Sequence, residues 1–589
     1  YGDHRDLHLS LRRQRQMCIR DRPYINGIKH LGNLVGSQLP ADLYARFMRA
    51  KGHEVAFLCA TDEHGTPAEL AAIESKTSTE DYCRKMWQTQ KDLSAQFFLS
   101  FDFFGRSSSS SNHALTKAFA LNLDDNGLLK SVDERQLYSA KDKRFLPDRY
   151  VIGTCPDCSY ERARGDQCEN CTRQLHASEL IKPSSVLSGS QDLELIKTKH
   201  LYLIQSKLKE KLLTWIESND HWPKITTSIA KKWLMDGDGL QDRSITRDLS
   251  WGIPVEKNGK PWKGMENKVF YVWFDAPIAY ISATIDWAKS KKKHPDFWKS
   301  WWLNDHGAED VHYVQFMAKD NIPFHTLSFP ATLIGSGQSW KLVDYIKGFN
   351  WLTYDGGKFS TSQKRGVFMN QALELFPSDY WRWWLLSNAP ETSDADFTWR
   401  SFQSSINKDL ADVLGNFVSR LTKFTFSKFG ATIPNGSRYG EQELNAIREI
   451  EKVFISYDDA MNKIEIRKAT SYLRKIWSIG NEYLQRSQPW VKIKTDTAEA
   501  AKTIRFGFNL MLFFSEISEP FIPSTSNEIK YCLGKSNEKF QWPSLKEDFT
   551  SIFEKIDYGD DFKQIENLFV KISDDYALDL AKRFSGTNN

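Results

Sequence analysis

The chain has 589 residues, more than one hydrophobic core organises, so three or four domains are expected. Its net charge of +4 is only mildly basic, which permits RNA binding without arguing for it. There is no secretory signal, and no apolar run approaches the roughly 18 residues of a membrane helix, which excludes a membrane-spanning protein. Four of the eight cysteines are clustered and the others are scattered, which suits a reducing cytoplasm better than a disulfide framework.

Residues 1–22 differ from the start of an ordinary α/β domain. They carry six arginines, little apolar periodicity and no predicted strand. Yet a helix that binds a nucleotide normally follows a buried strand, and the next segment predicts such a helix. We therefore interpret residues 1–22 as foreign to the fold, and a basic nucleic-acid-binding tail is the alternative.

The stretch Pro23–Asn33 predicts a turn that opens a helix. Its proline, asparagine and glycine are turn formers, and apolar residues recur at helical spacing after it. His30 and Asn33 are three residues apart and share a helical face, and Gly32 leaves the backbone open to close approach. Free N–H groups at a helix start beside these side chains predict a phosphate site. A turn with a structural histidine is the alternative.

The next segment predicts α/β structure. Val55–Ala60 is a short apolar run that suits a buried parallel strand. Asp62 and His64 follow it directly, where α/β sheets place groups that bind ligands. A helix cap is the alternative role for Asp62.

An insertion begins at the serine-rich joint Ser107–Ser111 and carries a metal-binding pattern. Two Cys-x2-Cys turns are separated by nine residues. Four thiolates at this spacing predict one tetrahedral zinc ion, and they leave no open coordination position, so the ion is expected to be structural. The predicted ligands are Cys155, Cys158, Cys168 and Cys171.

The chain then returns to the α/β pattern, and Val269–Phe274 predicts a strand rich in aromatic residues. Apolar and aromatic residues follow that suit the wall of a thioether pocket, because sulfur contacts aromatic edges favourably. Ordinary core packing is the alternative. These residues are Trp273, Ala276, Pro277, Tyr280 and His325.

Asp355–Ser362 is a loop with two glycines, three hydroxyl groups and one lysine. Lys358 predicts a cation for phosphate groups, and Lys364 and Arg365 follow at once. Taken alone, such a loop is weak evidence for a phosphate site.

The remaining chain predicts helices. Asn416 and Arg420 are four residues apart, on a face other than the apolar stripe, and are free to meet a partner. A helix over 469–487 is expected to end at Pro489. Trp490 then follows the helix end, where its ring can face solvent and a partner, and a core position is the alternative.

Two distant segments together resemble a known family. His30–Asn33 and Lys358–Ser362 resemble HIGH and KMSKS, the signature sequences of class I aminoacyl-tRNA synthetases. Cys59–Pro67, Tyr271–Tyr280 and Lys319–His325 are similar to the methionyl-tRNA synthetase family specifically. The resemblance runs from residue 23 to about residue 502.

The resemblance implies an α/β fold. A Rossmann-like parallel-sheet catalytic domain with a zinc-bearing insertion would be followed by an α-helical anticodon-binding domain. The implied boundaries are 1–22 for the anomalous segment, 23–106 and 231–350 for the two catalytic halves, 107–230 for the insertion, 351–400 for the KMSKS and stem-contact region, and 401–589 for the anticodon domain.

The resemblance also implies an activity, the ATP-dependent joining of L-methionine to the 3′ end of tRNA(Met) through methionyl-adenylate, with Mg²⁺ accompanying ATP. The implied catalytic residues are His30, Asn33, Lys358 and Thr361, and these bind ATP together with Gly32 and Asp320. The implied methionine-binding residues are Tyr24, Asp62, Trp273, Ala276, Pro277, Tyr280 and His325. The implied anticodon-binding residues are Asn416, Arg420 and Trp490.

The sequence departs from the family pattern in three places. Asn33 replaces the last histidine of HIGH, and Thr361 replaces the second lysine of KMSKS, whose charge Lys364 or Arg365 would supply. Some relatives have a second Cys-x2-Cys pair where this chain has Ser185 and Ser188, so one zinc is expected. No C-terminal dimerisation module is recognisable, and a monomer is expected.

Two other functions remain. Another class I synthetase is one, but the insertion is too short for the editing domain of the leucyl, isoleucyl and valyl enzymes. Cysteinyl enzymes hold zinc in the amino-acid pocket instead. A catalytically impaired, tRNA-binding paralogue is the other, and residues 1–22 together with Thr361 favour it.

Overall fold

The structure is a computed structural model that describes residues 15–586 apart from 21–22, 166–167, 169, 172, 174, 236–238, 361–363 and 547. Its centre is a five-stranded sheet in which all neighbouring strands are parallel. The strands are β1 Arg15–Arg20, β2 Glu54–Thr61, β3 Phe103–Arg106, β4 Val311–Ala318 and β5 Tyr345–Phe349. Their spatial order, β5-β4-β1-β2-β3, is the doubly wound arrangement, and the predicted Rossmann-like α/β class is confirmed.

The central strand β1 lies where the sequence predicts no strand, so that prediction is wrong. Met17, Cys18 and Ile19 are completely buried between β2 and β4. Three apolar residues flanked by arginines are too few to show the pattern of a buried strand. Arg20 is buried as well, and its guanidinium donates to Cys59 Sγ at 2.7 Å and lies over the ring of Phe101. Residues 1–14 and 21–22 lie outside the described residues.

Alternating side chains of the sheet enter two separate cores. Cys18 and Phe57 pack into the core shared with the C-terminal helices, whereas Met17 and Leu58 pack into the core on the opposite face. The sheet is therefore covered on both faces, as a parallel sheet requires. The α-helices of this region are Leu31–Asn33, Leu39–Ala50, Thr66–Glu74, Thr79–Gln96, Ser110–Asp125, Lys209–Ser218, Lys224–Met235, Val272–Ser290, Lys299–Trp302 and Phe329–Gly335, and two π-helical segments are Leu34–Gln38 and Phe324–Ser328.

The insertion between β3 and β4 is built from small antiparallel sheets. Its four-stranded sheet has the order Arg243–Ser244, Leu193–Leu203, Leu129–Ser139 and Arg144–Phe145. Its three-stranded sheet has the order Ala163–Arg164, Val151–Thr154 and Ile181–Ser185. Because strand Arg243–Ser244 joins the first sheet, the insertion's β-structure continues past residue 230.

The aromatic run predicted as a strand is mostly helical. Only Val269–Phe270 is extended, and a helix spans Val272–Ser290. The prediction of a strand over Val269–Phe274 is therefore wrong from Val272 onward. A helix that is buried all round has no polar face, so its sequence lacks the periodicity that indicates a helix. Pro277 also lies inside this helix, and it has no N–H to donate to the Trp273 carbonyl.

A helical domain follows the short parallel pair Leu352–Tyr354 and Ala395–Phe397. It shares the larger core with the sheet, and Trp381, Trp383 and Trp384 are buried in that core. The predicted helical C-terminal region is confirmed. Its α-helices span Met369–Leu375, Ser378–Ser387, Trp399–Ser405, Asn416–Phe429, Glu441–Asn462, Ile466–Ser487, Pro489–Lys492, Thr497–Ser518, Pro523–Cys532 and Asp574–Arg583, and Ile406–Gly415 is a π-helix.

No helix in the described ranges has the length and apolarity to traverse a lipid bilayer.

Arg382 joins the helical domain to the central five-stranded sheet and the helices that cover it. Its side chain is completely buried and donates to Asp42 Oδ2 at 2.7 Å. It also donates to the carbonyl oxygens of Pro520 at 2.8 Å, Phe521 at 2.9 Å and Phe97 at 3.0 Å. Burial alone would raise the pKa of Asp42, but Arg46 and Arg382 hold it at about 2. The pair is therefore fully ionised and hydrogen-bonded inside the protein.

Replacing Arg382 by Met should lower the free energy of unfolding by about 3–5 kcal/mol, because Asp42 would keep a buried charge without this partner. Urea denaturation measures the change. Arg448→Met is the control, since Arg448 forms an exposed pair with Glu441 and should cost under about 1 kcal/mol. Equal effects of the two substitutions would contradict the role of Arg382 in joining the helical domain to the sheet.

Candidate active site

The site lies at the carboxyl ends of β1 and β4, where the strand order reverses. The segment after β1 turns through Pro23, and the segment after β4 forms the short turn Lys319–Asn321. Asp62 follows β2, donates its N–H to the Pro23 carbonyl and accepts from the Ile25 N–H. Doubly wound sheets bind ligands in the crevice at this point, and here the crevice is a cavity of about 530 Å³.

His30 caps the helix that begins at Leu31. Its Nδ1 accepts the Asn33 N–H at 3.3 Å, and Asn33 Oδ1 accepts the His30 N–H at 3.3 Å. Because Nδ1 is an acceptor, the proton of a neutral ring resides on Nε2, which is then a donor. A Cβ on Gly32 would lie 3.0 Å from the imidazole ring, so glycine leaves room for the ring as well as for a ligand.

His30 also contacts the second signature segment. Its ring stacks on Phe359 with centroids 4.5 Å apart and an interplanar angle of 6°. Burial, together with the positive charge of Lys29, lowers the pKa of His30 to about 3. His30 is consequently a neutral hydrogen-bond donor at physiological pH, and the two segments form one site.

The loop 355–365 presents its cations in different ways. Lys358 is exposed, with its Nζ 5.9 Å from the Trp351 ring centroid. Arg365 instead donates to the carbonyl oxygens of Tyr354 at 2.9 Å and Asp355 at 2.8 Å, which fastens the loop to itself. Lys364 is exposed. Thr361 lies outside the described residues, so its predicted role has no structural counterpart here.

The predicted methionine-binding residues fall into two groups. Tyr24 and Trp273 line the cavity with their rings edge to face, 6.1 Å apart, and Trp273 stacks on Phe324 at 3.6 Å. Asp320 also lines the cavity. The second group is buried: Asp62, Ala276, Pro277, Tyr280 and His325.

A buried hydrogen bond orders the second group. The Tyr280 hydroxyl lies 2.9 Å from His325 Nε2, and His325 Nδ1 lies 2.9 Å from the Asn321 carbonyl oxygen. Since Nδ1 faces a carbonyl, it carries the ring proton and donates, and Nε2 accepts from the hydroxyl. These two hydrogen bonds connect the helix Val272–Ser290 with the turn after β4.

Two arginines of the cavity were not assigned from the sequence. Arg243 and Arg247 line it, and the Arg247 guanidinium lies 3.5 Å from the Tyr271 ring centroid and 3.5 Å from Asp148. No motif surrounds either arginine in the sequence.

His64 was predicted among the ligand-binding groups after β2, and it lines the same cavity. It lies 2.6 Å from the buried Asp275. Burial would lower the pKa of His64, but the Asp275 carboxylate raises it above its usual value.

The four predicted zinc ligands lie together. Cys155 and Cys171 have their sulfur atoms 3.8 Å apart, Cys158 and Cys168 theirs 3.5 Å apart, and all four lie within 4.8 Å of one another. Zinc–sulfur bonds of about 2.3 Å in a tetrahedron place the sulfurs about 3.8 Å apart, so the cluster fits this ion. The cluster lies in the insertion, where Cys155 and Cys168 pack with Leu175 and Ala177.

The three predicted anticodon-binding residues also lie close together. The Arg420 guanidinium lies 4.5 Å from the Trp490 ring centroid, and Arg420 donates to Gln485 at 3.2 Å. Asn416 donates to Asn481 Oδ1 at 3.3 Å. Trp490 is half-buried, and Pro489 begins a new short helix, Pro489–Lys492, after the helix Ile466–Ser487 ends.

Family comparisons cover almost the whole chain. A model described as tRNA synthetases class I (M) matches residues 21–422. A second, described as the anticodon binding domain of methionyl tRNA ligase, matches residues 433–589. The first match starts one residue after β1.

Individual relatives agree with the family models. The methionine–tRNA ligases of Roseobacter denitrificans and Cereibacter sphaeroides are 58% and 59% identical to this chain over 567 residues, which are 96% of this chain and 98% of each relative. A solved structure of Mycobacterium tuberculosis methionyl-tRNA synthetase in complex with methionyl-adenylate has a TM-score of 0.73 at 21% identity, and the match covers 94% of this chain and 99% of that one. At that identity, the likeness concerns the fold alone.

Proposed function

The chain belongs to the methionyl-tRNA synthetase family of class I aminoacyl-tRNA synthetases, and we propose that it is an ATP-dependent methionine–tRNA ligase. It activates L-methionine with ATP to methionyl-adenylate and transfers the methionyl group to the 3′ end of tRNA(Met). The observation that carries this conclusion is the 58% identity to a methionine–tRNA ligase over 96% of the chain.

The first step joins two anions and needs charge stabilisation. The methionine carboxylate attacks the α-phosphate of ATP, and pyrophosphate leaves. His30 donates from Nε2 to a phosphate oxygen, and Asn33 donates from its side-chain amide. The acceptor role of His30 Nδ1 and the low pKa of this histidine support a neutral, oriented donor. Gly32 and Asp320 complete the nucleotide site, with Asp320 near the ribose.

The cations of the loop act on the leaving pyrophosphate. Lys358 is its cation, and Thr361 occupies the position of the second KMSKS lysine. Lys364 supplies the charge that Thr361 lacks, since Arg365 binds carbonyl groups of its own loop. Mg²⁺ bound with ATP would neutralise phosphate charge. In the second step the 3′-terminal ribose hydroxyl of tRNA attacks the adenylate carbonyl, an ester bond forms, and the acyl–phosphate bond breaks to release AMP.

Methionine is selected by shape and by one carboxylate. Asp62 binds the amino group of the substrate, and Trp273, Ala276, Pro277, Tyr280, His325 and Tyr24 surround its thioether side chain. The Tyr280–His325 hydrogen bond supports this role, because it occupies the polar atoms that would otherwise face an apolar substrate. The aromatic edges are favourable partners for sulfur.

The zinc ion is structural and single, held by Cys155, Cys158, Cys168 and Cys171. The protein acts as a monomer in the cytoplasm, a reducing compartment that keeps cysteine thiolates available to zinc. Asn416, Arg420 and Trp490 bind the anticodon.

A catalytically impaired paralogue that binds tRNA is the second candidate, which the neutral Thr361 favours. The N-terminal segment does not support it, because residues 15–20 form the central strand β1. Pyrophosphate exchange, tested with each of the twenty amino acids separately, decides between the candidates. The proposed function requires exchange that depends on methionine, and an inactive protein or one that prefers another amino acid would overturn it.

Replacing His30 by Ala should slow methionine-dependent pyrophosphate exchange about 100-fold, since one lost donor to developing charge costs about 3 kcal/mol. Methionine binding, measured by calorimetry, should change little. Exchange at the wild-type rate would remove His30 from the phosphate site.

Metal analysis of the purified protein should find about one zinc per chain. Cys158→Ser should release the metal and loosen the strands Val151–Thr154 and Ile181–Ser185 more than the helix Thr497–Ser518, because zinc binding energy is local folding energy. Hydrogen exchange measures both regions.

Cys532→Ser is the matched control for the zinc prediction. Cys532 is buried in the helical domain, so this variant should keep the metal. Wild-type protein without zinc, or with a Cys155–Cys171 disulfide, would contradict the metal site.

Trp490→Ala should weaken tRNA charging about 5- to 150-fold, since stacking one base on an aromatic ring contributes about 1–3 kcal/mol. Pyrophosphate exchange needs no tRNA and should be almost unchanged. Val491→Ala, at the exposed next residue, is the control. If Trp490 served only as core, loss of charging would accompany a lower melting temperature of the helical domain.

A further inference from the structure

Glu391 holds the first turn of the helix Ile466–Ser487. It lies 75 residues before that helix, and its Oε1 accepts the Ile466 N–H at 3.1 Å. Its Oε2 accepts the Arg467 N–H at 2.9 Å. The same carboxylate forms an ion pair with Lys347 Nζ at 2.8 Å, and both side chains are about nine-tenths buried. One carboxylate thus connects the helix to β5, the strand that carries Lys347.

The helix has no cap of its own at this end. Its N-cap residue is Glu465, whose side chain makes no capping hydrogen bond and pairs with Lys468 on the surface. The first N–H groups of a helix carry partial positive charge and have no partner within the helix. A buried carboxylate that accepts two of them makes charge-assisted hydrogen bonds, which fix both the position and the direction of the helix.

The opposite end of the same helix reaches the anticodon residues. Its 22 residues extend about 33 Å, and it ends before Trp490. Near that end, Asn481 contacts Asn416 and Gln485 contacts Arg420. A small change of tilt at Glu391 therefore displaces the far end, where these contacts lie.

The helix is packed along its whole length. Its buried face runs from Ile466 to Ser487, and midway along it Trp477 packs on Trp383 with ring centroids 4.9 Å apart. Apolar packing is not directional, whereas hydrogen bonds are, so Glu391 adds a directed contact at the first turn.

We propose that Glu391 is a positioning residue for tRNA charging: it sets the direction of the helix Ile466–Ser487 and thereby aligns the anticodon-binding residues with the catalytic site. This inference rests on the proposed function. It assigns Glu391 no contact with substrate, ATP or tRNA.

The first test separates charging from activation. Glu391→Ala should lower kcat/KM for tRNA(Met) about 5- to 30-fold and leave methionine-dependent pyrophosphate exchange within about twofold of wild type. Glu391→Gln keeps an acceptor oxygen and should fall between the two. Glu465→Ala, next to the same helix start, is the matched control and should charge tRNA normally. Equal loss of exchange and charging would overturn the proposal.

The second test asks whether Glu391 acts through the anticodon site. In a double-mutant cycle, Glu391→Ala should add less than about twofold loss to Trp490→Ala, because residues that act through one contact are not additive. Losses that multiply fully would overturn the proposal, since they would mean that the two residues act independently.

The third test needs no catalysis, so it holds even if the protein proves to be an inactive paralogue. Glu391→Gln should weaken binding of fluorescently labelled tRNA(Met), measured by anisotropy, and leave binding of a transcript without the anticodon arm unchanged. Equal weakening for both RNAs would overturn the proposal. Absence of methionine-dependent exchange in the wild type would overturn the proposed function instead.

Discussion

The stack of His30 on Phe359 joins two segments that are more than 300 residues apart, and the rest of the site depends on it. Such a contact requires space on both sides. A Cβ at Gly32 would meet the imidazole ring, and one at Gly366 would collide with the ring of Phe359. Burial keeps the imidazole neutral, and the Asn33 N–H donated to Nδ1 leaves Nε2 as the donor. Aromatic packing between the two signature segments thus positions the ring for the phosphate role proposed for it.

The helical domain is oriented by two buried charges from the connecting region 378–397. Arg382 reaches towards Asp42 and the carbonyl oxygens at Pro520 and Phe521, whereas Glu391 reaches towards Lys347 and the helix that starts at Ile466. The large shared core supplies most of the cohesion. Arg382 and Glu391 add directed polar contacts at the junction, and the proposed positioning of the anticodon residues relies on those of Glu391.

Local patterns were recognisable in the sequence, whereas long-range contacts were not. The cysteine pattern spans 17 residues and the His30 turn is shorter still, so the clustering of the four cysteines and the helix start at His30 were predictable. The strand β1 was missed because only three apolar residues of it are flanked by arginines, and its burial results from β2 and β4. The helix Val272–Ser290 was assigned partly to a strand, since a helix buried all round has no polar face. Arg247 was missed because its place at the cavity depends on the insertion's fold.

The loss of one lysine in the second signature is best understood as a redistribution of charge. A KMSKS loop presents two cations, and this chain retains Lys358 while Thr361 is neutral. Arg365 cannot replace the missing cation in this arrangement, because its guanidinium holds the carbonyl groups of Tyr354 and Asp355. Lys364 is exposed and adopts a left-handed backbone with φ of +51°, which turns the chain at that point. Arg365 therefore shapes the loop, which is why the charge for the leaving pyrophosphate is proposed to come from Lys364.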